Sequence, residues 1–131
     1  MRRAHYIVGL LGLAGFALSG QVLSHHRPSM GLLEAGEHMM YVSRHIYLLG
    51  AALVNLMLGL YLQPKAERWK RRTQTVGSIL ILSSPFFLGL AFVAEPGLGI
   101  AGRSWRTEAG LFTLLGGAIA HFIASSRGAT N

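Results

Sequence analysis

Four nearly uncharged apolar stretches, about 6–23, 41–62, 76–94 and 109–125, dominate this chain of 131 residues. A bilayer core about 30 Å thick is crossed by about 20 apolar residues in a helix, and lipid offers no partner for an unpaired backbone group. None of the four stretches alternates apolar and polar residues as a barrel strand does. The fold class read from them is all-α: an integral membrane four-helix bundle, a single transmembrane domain covering 1–131. Composition agrees, since 13% of the residues are charged, about half the usual fraction of a soluble protein. The chain has no cysteine, which excludes disulfides, iron–sulfur clusters, covalently attached c-type haem and cysteine nucleophiles.

Orientation is read from Lys and Arg, which accumulate in short cytoplasmic loops. Arg2 and Arg3 precede the first span, Lys65, Arg68, Lys70, Arg71 and Arg72 separate the second from the third, and Arg127 follows the fourth. Against Glu67 alone, these eight residues account for the whole net charge of +7. On the other side Arg27, Arg44, Arg103 and Arg106 balance Glu34, Glu37, Glu95 and Glu108. Both termini are therefore expected inside a prokaryotic cytoplasmic (inner) membrane. The basic run around Trp69 reads as a topology signal that favours anionic headgroups, with Trp69 and Trp105 as interfacial anchors, and nucleic acid is not an expected partner. Ala17-Leu18-Ser19 offers a passable signal-peptide cleavage site, but the apolar character continues to Leu23, so the segment is read as a retained helix.

Small residues mark the expected helix contacts, because association in lipid relies on close packing. Gly9, Gly12, Gly15 and Gly20 lie in the first span, and Gly110, Gly116, Gly117 and Ala120 in the fourth. Packing within the bundle is the expected role, with a dimer motif as the alternative. Pro85, beside Ser83 and Ser84, is expected to kink the third span, the freed carbonyl being satisfied by a serine or a neighbouring helix. Glu95-Pro96-Gly97 closes that span, and Ser104 or Thr107 is expected to cap the fourth.

The second span carries the most chemistry. Ser29 is a plausible start for one long helix to Leu62, unless Gly36 divides it into an outer interfacial helix (29–40) and the span. On a continuous helix Glu34, His38, Tyr41 and His45 share a stripe edged by Glu37, Arg44 and Asn55, with Ala52 and Gly59 continuing it inward. An Arg at membrane depth costs roughly 2.5–3.5 kcal/mol at the centre on insertion scales and less near an interface, so Arg44 should face the bundle or water. Glu37, two turns away, is its expected partner. This polar patch of Glu37, Tyr41 and Arg44 is read first as an interfacial salt-bridge network.

The alternative is an outer site for a transition metal or a proton, with His25, His26, Glu34, His38 and His45 as candidate ligands and Met30, Met39 and Met40 nearby. Imidazole and thioether together favour copper. Haem is disfavoured: its weak candidates are His5 and His121, at matched depth near the inner side, more readily taken as a headgroup-level residue and a packed, hydrogen-bonded one. The sequence has no Asp, no nucleophile elbow, no phosphate loop and no His-Glu-x-x-His pattern, so no catalytic residue is assigned and an enzyme is not expected.

Gly15-Phe16-Ala17-Leu18-Ser19-Gly20 and Met40-Tyr41-Val42-Ser43-Arg44-His45, leading into Leu48-Leu49-Gly50, give the chain its family likeness. It resembles the small four-span bacterial membrane proteins of unknown function that have a Gly-rich first span and a histidine entering the second. Where that family carries a histidine late in the first span, this chain has Gln21. The resemblance implies four spans and no established activity. The functional expectation is a non-catalytic accessory or interaction subunit of a larger membrane complex, with copper handling or proton relay as the alternative. Its expected partners are the lipid bilayer and another membrane protein or a second copy.

Overall fold

The computed structural model describes residues 1–25, 32–98 and 104–126. Its long elements are four helices, α1 (Arg2–His25), α2 (Ala35–Tyr61), α3 (Arg68–Ala94) and α4 (Trp105–Ser125), with a short 3-10 turn at Pro96–Leu98. They contain 24, 27, 27 and 21 residues. At about 1.5 Å per residue each reaches or exceeds the roughly 30 Å of a bilayer core. All four are apolar enough to cross a membrane. The ends of α2, α3 and α4 fall within about a residue of the spans read from hydropathy. Their starts come earlier, because an apolar run does not register the polar first turns of a helix.

α2 begins at Ala35 and passes through Gly36 without a break. Residues 35–40 therefore belong to the same helix as the span rather than to a separate interfacial one, and the proposed start at Ser29 lies outside the described residues. A single helix also runs through Pro85. Pro85 has no N–H for the carbonyl of Ile81, four residues earlier. That carbonyl instead accepts from Asn55 Nδ2 on α2 at 3.2 Å.

The bundle consists of two antiparallel hairpins, α1 with α2 and α3 with α4, which meet mainly through α2 and α3. Glycines make each hairpin tight. A Cβ added to Gly59 would lie 2.7 Å from the Tyr6 backbone, and one at Gly12 would lie 2.8 Å from Ala52 Cβ. In the second hairpin a Cβ on Gly117 would lie 2.7 Å from the Gly77 carbonyl oxygen. Gly117 rather than Gly116 thus makes the close approach to α3, and Ala120 lies against Gly77. Between the hairpins Leu48 and Ala51 of α2 pack on Leu88 of α3. Arg2 closes the end of α2, its Nη2 donating to the Leu60 carbonyl at 2.7 Å. Gln74 ties down the α2–α3 connection by donating to the Gln63 carbonyl at 2.9 Å.

Gly117→Ala should lower stability by about 1–3 kcal/mol, because overpacking drives α3 and α4 apart. Gly50→Ala, at a position with nothing within 4 Å, should instead be neutral or gain up to about 1 kcal/mol from helix propensity. Thermal unfolding in detergent, followed by circular dichroism, distinguishes the two outcomes.

Candidate functional site

Polar side chains collect at two places inside the bundle, toward opposite ends. The first is formed where α2 starts, α3 ends and α4 begins. Arg44 is 4% exposed and Glu95 fully buried. Arg44 donates to Glu95 Oε2 from Nε at 3.0 Å and from Nη2 at 2.9 Å. Its remaining donors reach the Ser104 hydroxyl at 2.8 Å and the Met40 carbonyl at 3.1 Å. The expected pairing with Glu37 is therefore replaced by one with Glu95, 51 residues away in sequence. The α2 face carrying Arg44 turns toward α3, and Glu95 is the carboxylate that α3 delivers there.

Glu95 also does what Ser104 or Thr107 was expected to do. Ser104 makes no side-chain cap bond. Glu95 Oε1 instead accepts from the backbone N–H groups of Arg106 at 2.8 Å and Thr107 at 3.2 Å, and Oε2 also accepts from the Thr107 hydroxyl. A carboxylate from the preceding helix thus caps α4 and meets the positive end of its dipole. Burial alone would raise the Glu95 carboxyl. The bonds from Thr107 and Arg44, with those from the two backbone amides, outweigh that and hold it below its ordinary value. With five donors on two oxygens, the carboxylate has no lone pair left for a substrate. It is a structural lock.

The second cluster draws one side chain from each helix. His5, near the start of α1, is fully buried inside the bundle. Its Nδ1 lies 2.8 Å from Asn55 Oδ1. Asn55 directs its Nδ2 donors at the carbonyls of Ala51, at 2.9 Å, and Ile81, at 3.2 Å. Oδ1 must then be the acceptor and His5 Nδ1 the donor, which leaves the neutral ring with a lone pair on Nε2. Nε2 is buried and has no hydrogen-bond partner among the described residues. The ring of His121 stands next to it, centroids 6.4 Å apart, with Nε2 3.2 Å from the Ser78 hydroxyl. Gly77 makes room for that ring, since a Cβ there would sit 2.9 Å from His121 Cδ2.

The outer histidines are arranged differently. His25 is exposed and turns back on its own helix, Nδ1 lying 2.9 Å from the Gln21 carbonyl. His45 stacks on Phe16 at 4.1 Å and lies 2.7 Å from the Ser19 hydroxyl, which itself donates to the Phe16 carbonyl. His45 Nδ1 is therefore the donor to Ser19. Glu34 and His38 are exposed at the start of α2, and Tyr41 packs edge-on against Phe92. Among the described residues no three His, Cys, Asp or Glu side chains converge as a metal site. His26 and Met30 lie outside those residues.

Sequence reasoning missed Ser78, Gly77 and the role of Glu95. The available signal for Glu95 was depth: Arg44 is the basic residue within a span, and Glu95 is the acid at the matching end of the third. Comparison with protein-family models, curated proteins and solved structures returns no match.

Glu95→Ala should destabilise the fold by about 3–5 kcal/mol, as expected when one partner of a buried pair is removed. Because folding lowers the Glu95 pKa, its stabilisation is complete at neutral pH and is lost as pH falls through and below the ordinary glutamate range. Melting temperature against pH should show that acid limb in the wild type and a smaller one in Glu95→Gln.

Proposed function

We propose that the chain is a multi-pass protein of the prokaryotic cytoplasmic membrane, with both termini in the cytoplasm. It serves there as a non-catalytic accessory subunit whose ligand-accepting position is the His5–His121 imidazole pair. The observation that carries this reading is the inside-out arrangement of side chains. Val93, Phe122, Phe112 and Leu18 stand 67–81% exposed on the helices, while Arg44, Glu95, Asn55 and His5 are buried among them. Water would penalise the first group and the second would gain nothing from burial, whereas lipid rewards both placements.

The orientation rests on the basic residues, which the antiparallel hairpins gather at one end of the bundle: Arg2 and Arg3 beside the end of α2, and Lys65 to Arg72 at the start of α3. The accessory role is supported by the saturation of Glu95, which leaves that acid unfit for proton transfer. It is also supported by Gly50 and Gly89, where an added Cβ would meet no atom of another described helix within 4 Å. They leave shallow places on the outer surface where a helix of a larger membrane complex can approach.

A chain without cysteine allows single-cysteine labelling on a clean background. In intact cells, a cysteine at Arg68 should resist a membrane-impermeant maleimide and one at Trp105 should react. Reaction of both, or recovery of the protein in the soluble fraction, would refute the membrane reading.

A further inference from the structure

An unpartnered nitrogen at full burial is costly unless something completes it. His5 Nε2 is in that position, its ring held in one tautomer by Asn55, and a second-shell bond of this kind is what orients a metal-ligating histidine. We propose that His5 and His121 bind one cuprous ion between them. This deepens the preceding reading by naming the ligand of the imidazole pair.

Geometry, charge and access select the ion. Two imidazole nitrogens each about 2 Å from a shared ion, in line with it, place their ring centres roughly 6 Å apart; the observed separation is 6.4 Å with the rings at 71°, and His121 Nε2 would exchange its Ser78 contact for the ion. The groups in direct contact are uncharged, Asn55 beside His5 and Ser78, Gly77 and Ala120 beside His121, while the N-terminal amine acts on His5 and Lys65 lines a cavity shared with His121. A divalent ion would leave two positive charges buried without a carboxylate, and zinc prefers four ligands. A single charge on neutral imidazoles at low coordination number is the least costly choice.

His121 also lines a cavity of about 340 Å³ between α2 and α4, together with Met57, whose thioether is a soft donor that favours Cu(I). An adjoining cavity shares Met57 and His121 and continues to Lys65 and Gln74. The two cavities together run from the polar end of the bundle, at Lys65 and Gln74, to the half-buried His121 ring.

The test uses the full chain in detergent under nitrogen. Cuprous ion, kept reduced with ascorbate, is titrated against a chromophoric cuprous chelator. The wild type should take up one equivalent, with X-ray absorption showing two nitrogen neighbours. His5→Asn keeps a donor for Asn55 but deletes Nε2. It and His121→Phe should each abolish competition with the chelator, and Asn55→Ala should weaken affinity about 10–100-fold. If His5→Asn does not fold by circular dichroism, His121→Phe decides. A variant with alanine at His25, His26, His38 and His45 should bind as the wild type does. The proposal is overturned if the wild type takes up no stoichiometric copper, if His121→Phe binds unchanged, if the outer variant loses the ion, or if zinc displaces it. None of these results would alter the labelling pattern that tests membrane topology, so the two readings fail separately.

Discussion

The carbonyl of Ile81 has no helical donor, because the residue four places on is Pro85, and much of the bundle's interior follows from how that carbonyl is satisfied. In apolar surroundings an open acceptor costs too much to leave alone. Asn55 of α2 donates to it across the hairpin boundary. With its amide group so engaged, Asn55 can offer His5 only an oxygen, and this fixes which imidazole nitrogen keeps its lone pair. One proline thus determines a hydrogen bond, then an amide orientation, then a tautomer on another helix.

The opposite end follows a similar logic with charges. Arg44 cannot remain unpaired within the bundle, and the first amides of α4 need an acceptor. Glu95 answers both requirements from one position, the C-cap of α3. The geometry explains why the nearby Glu37 is not chosen. A carboxylate on the same helix could reach the guanidinium but could not also reach the start of α4.

Helix number, type and approximate extent were legible from apolar runs alone, because backbone satisfaction in lipid leaves few alternatives. Helical periodicity put Arg44 and Asn55 at the edge of the polar stripe and Ala52 and Gly59 on its continuation, and these are the buried positions, whereas Glu34 and His38 on the stripe itself are exposed. What escaped were contacts between elements remote in sequence. Periodicity ranks residues on one helix but carries no information about which neighbour they face, so Arg44 was matched to the nearest acid instead of Glu95. For the same reason, the matched depth of His5 and His121 did not show that their rings adjoin, or that Gly77 clears space for the latter. The glycines were easier to read, since a close helix crossing requires small residues wherever it occurs.

Each hairpin is held by apolar glycine crossings, whereas the two hairpins are joined by polar bonds on either side of a small apolar centre. This division gives assembly a natural order. Glycine contacts tolerate sliding until the helices mesh, so each half can pair first on its own. The seam admits little tolerance: a shift of one residue along it would strand a guanidinium, a carboxylate and an amide at once. The halves therefore carry a shared address, and another helical hairpin cannot take the place of either without supplying matching groups at both ends of the seam.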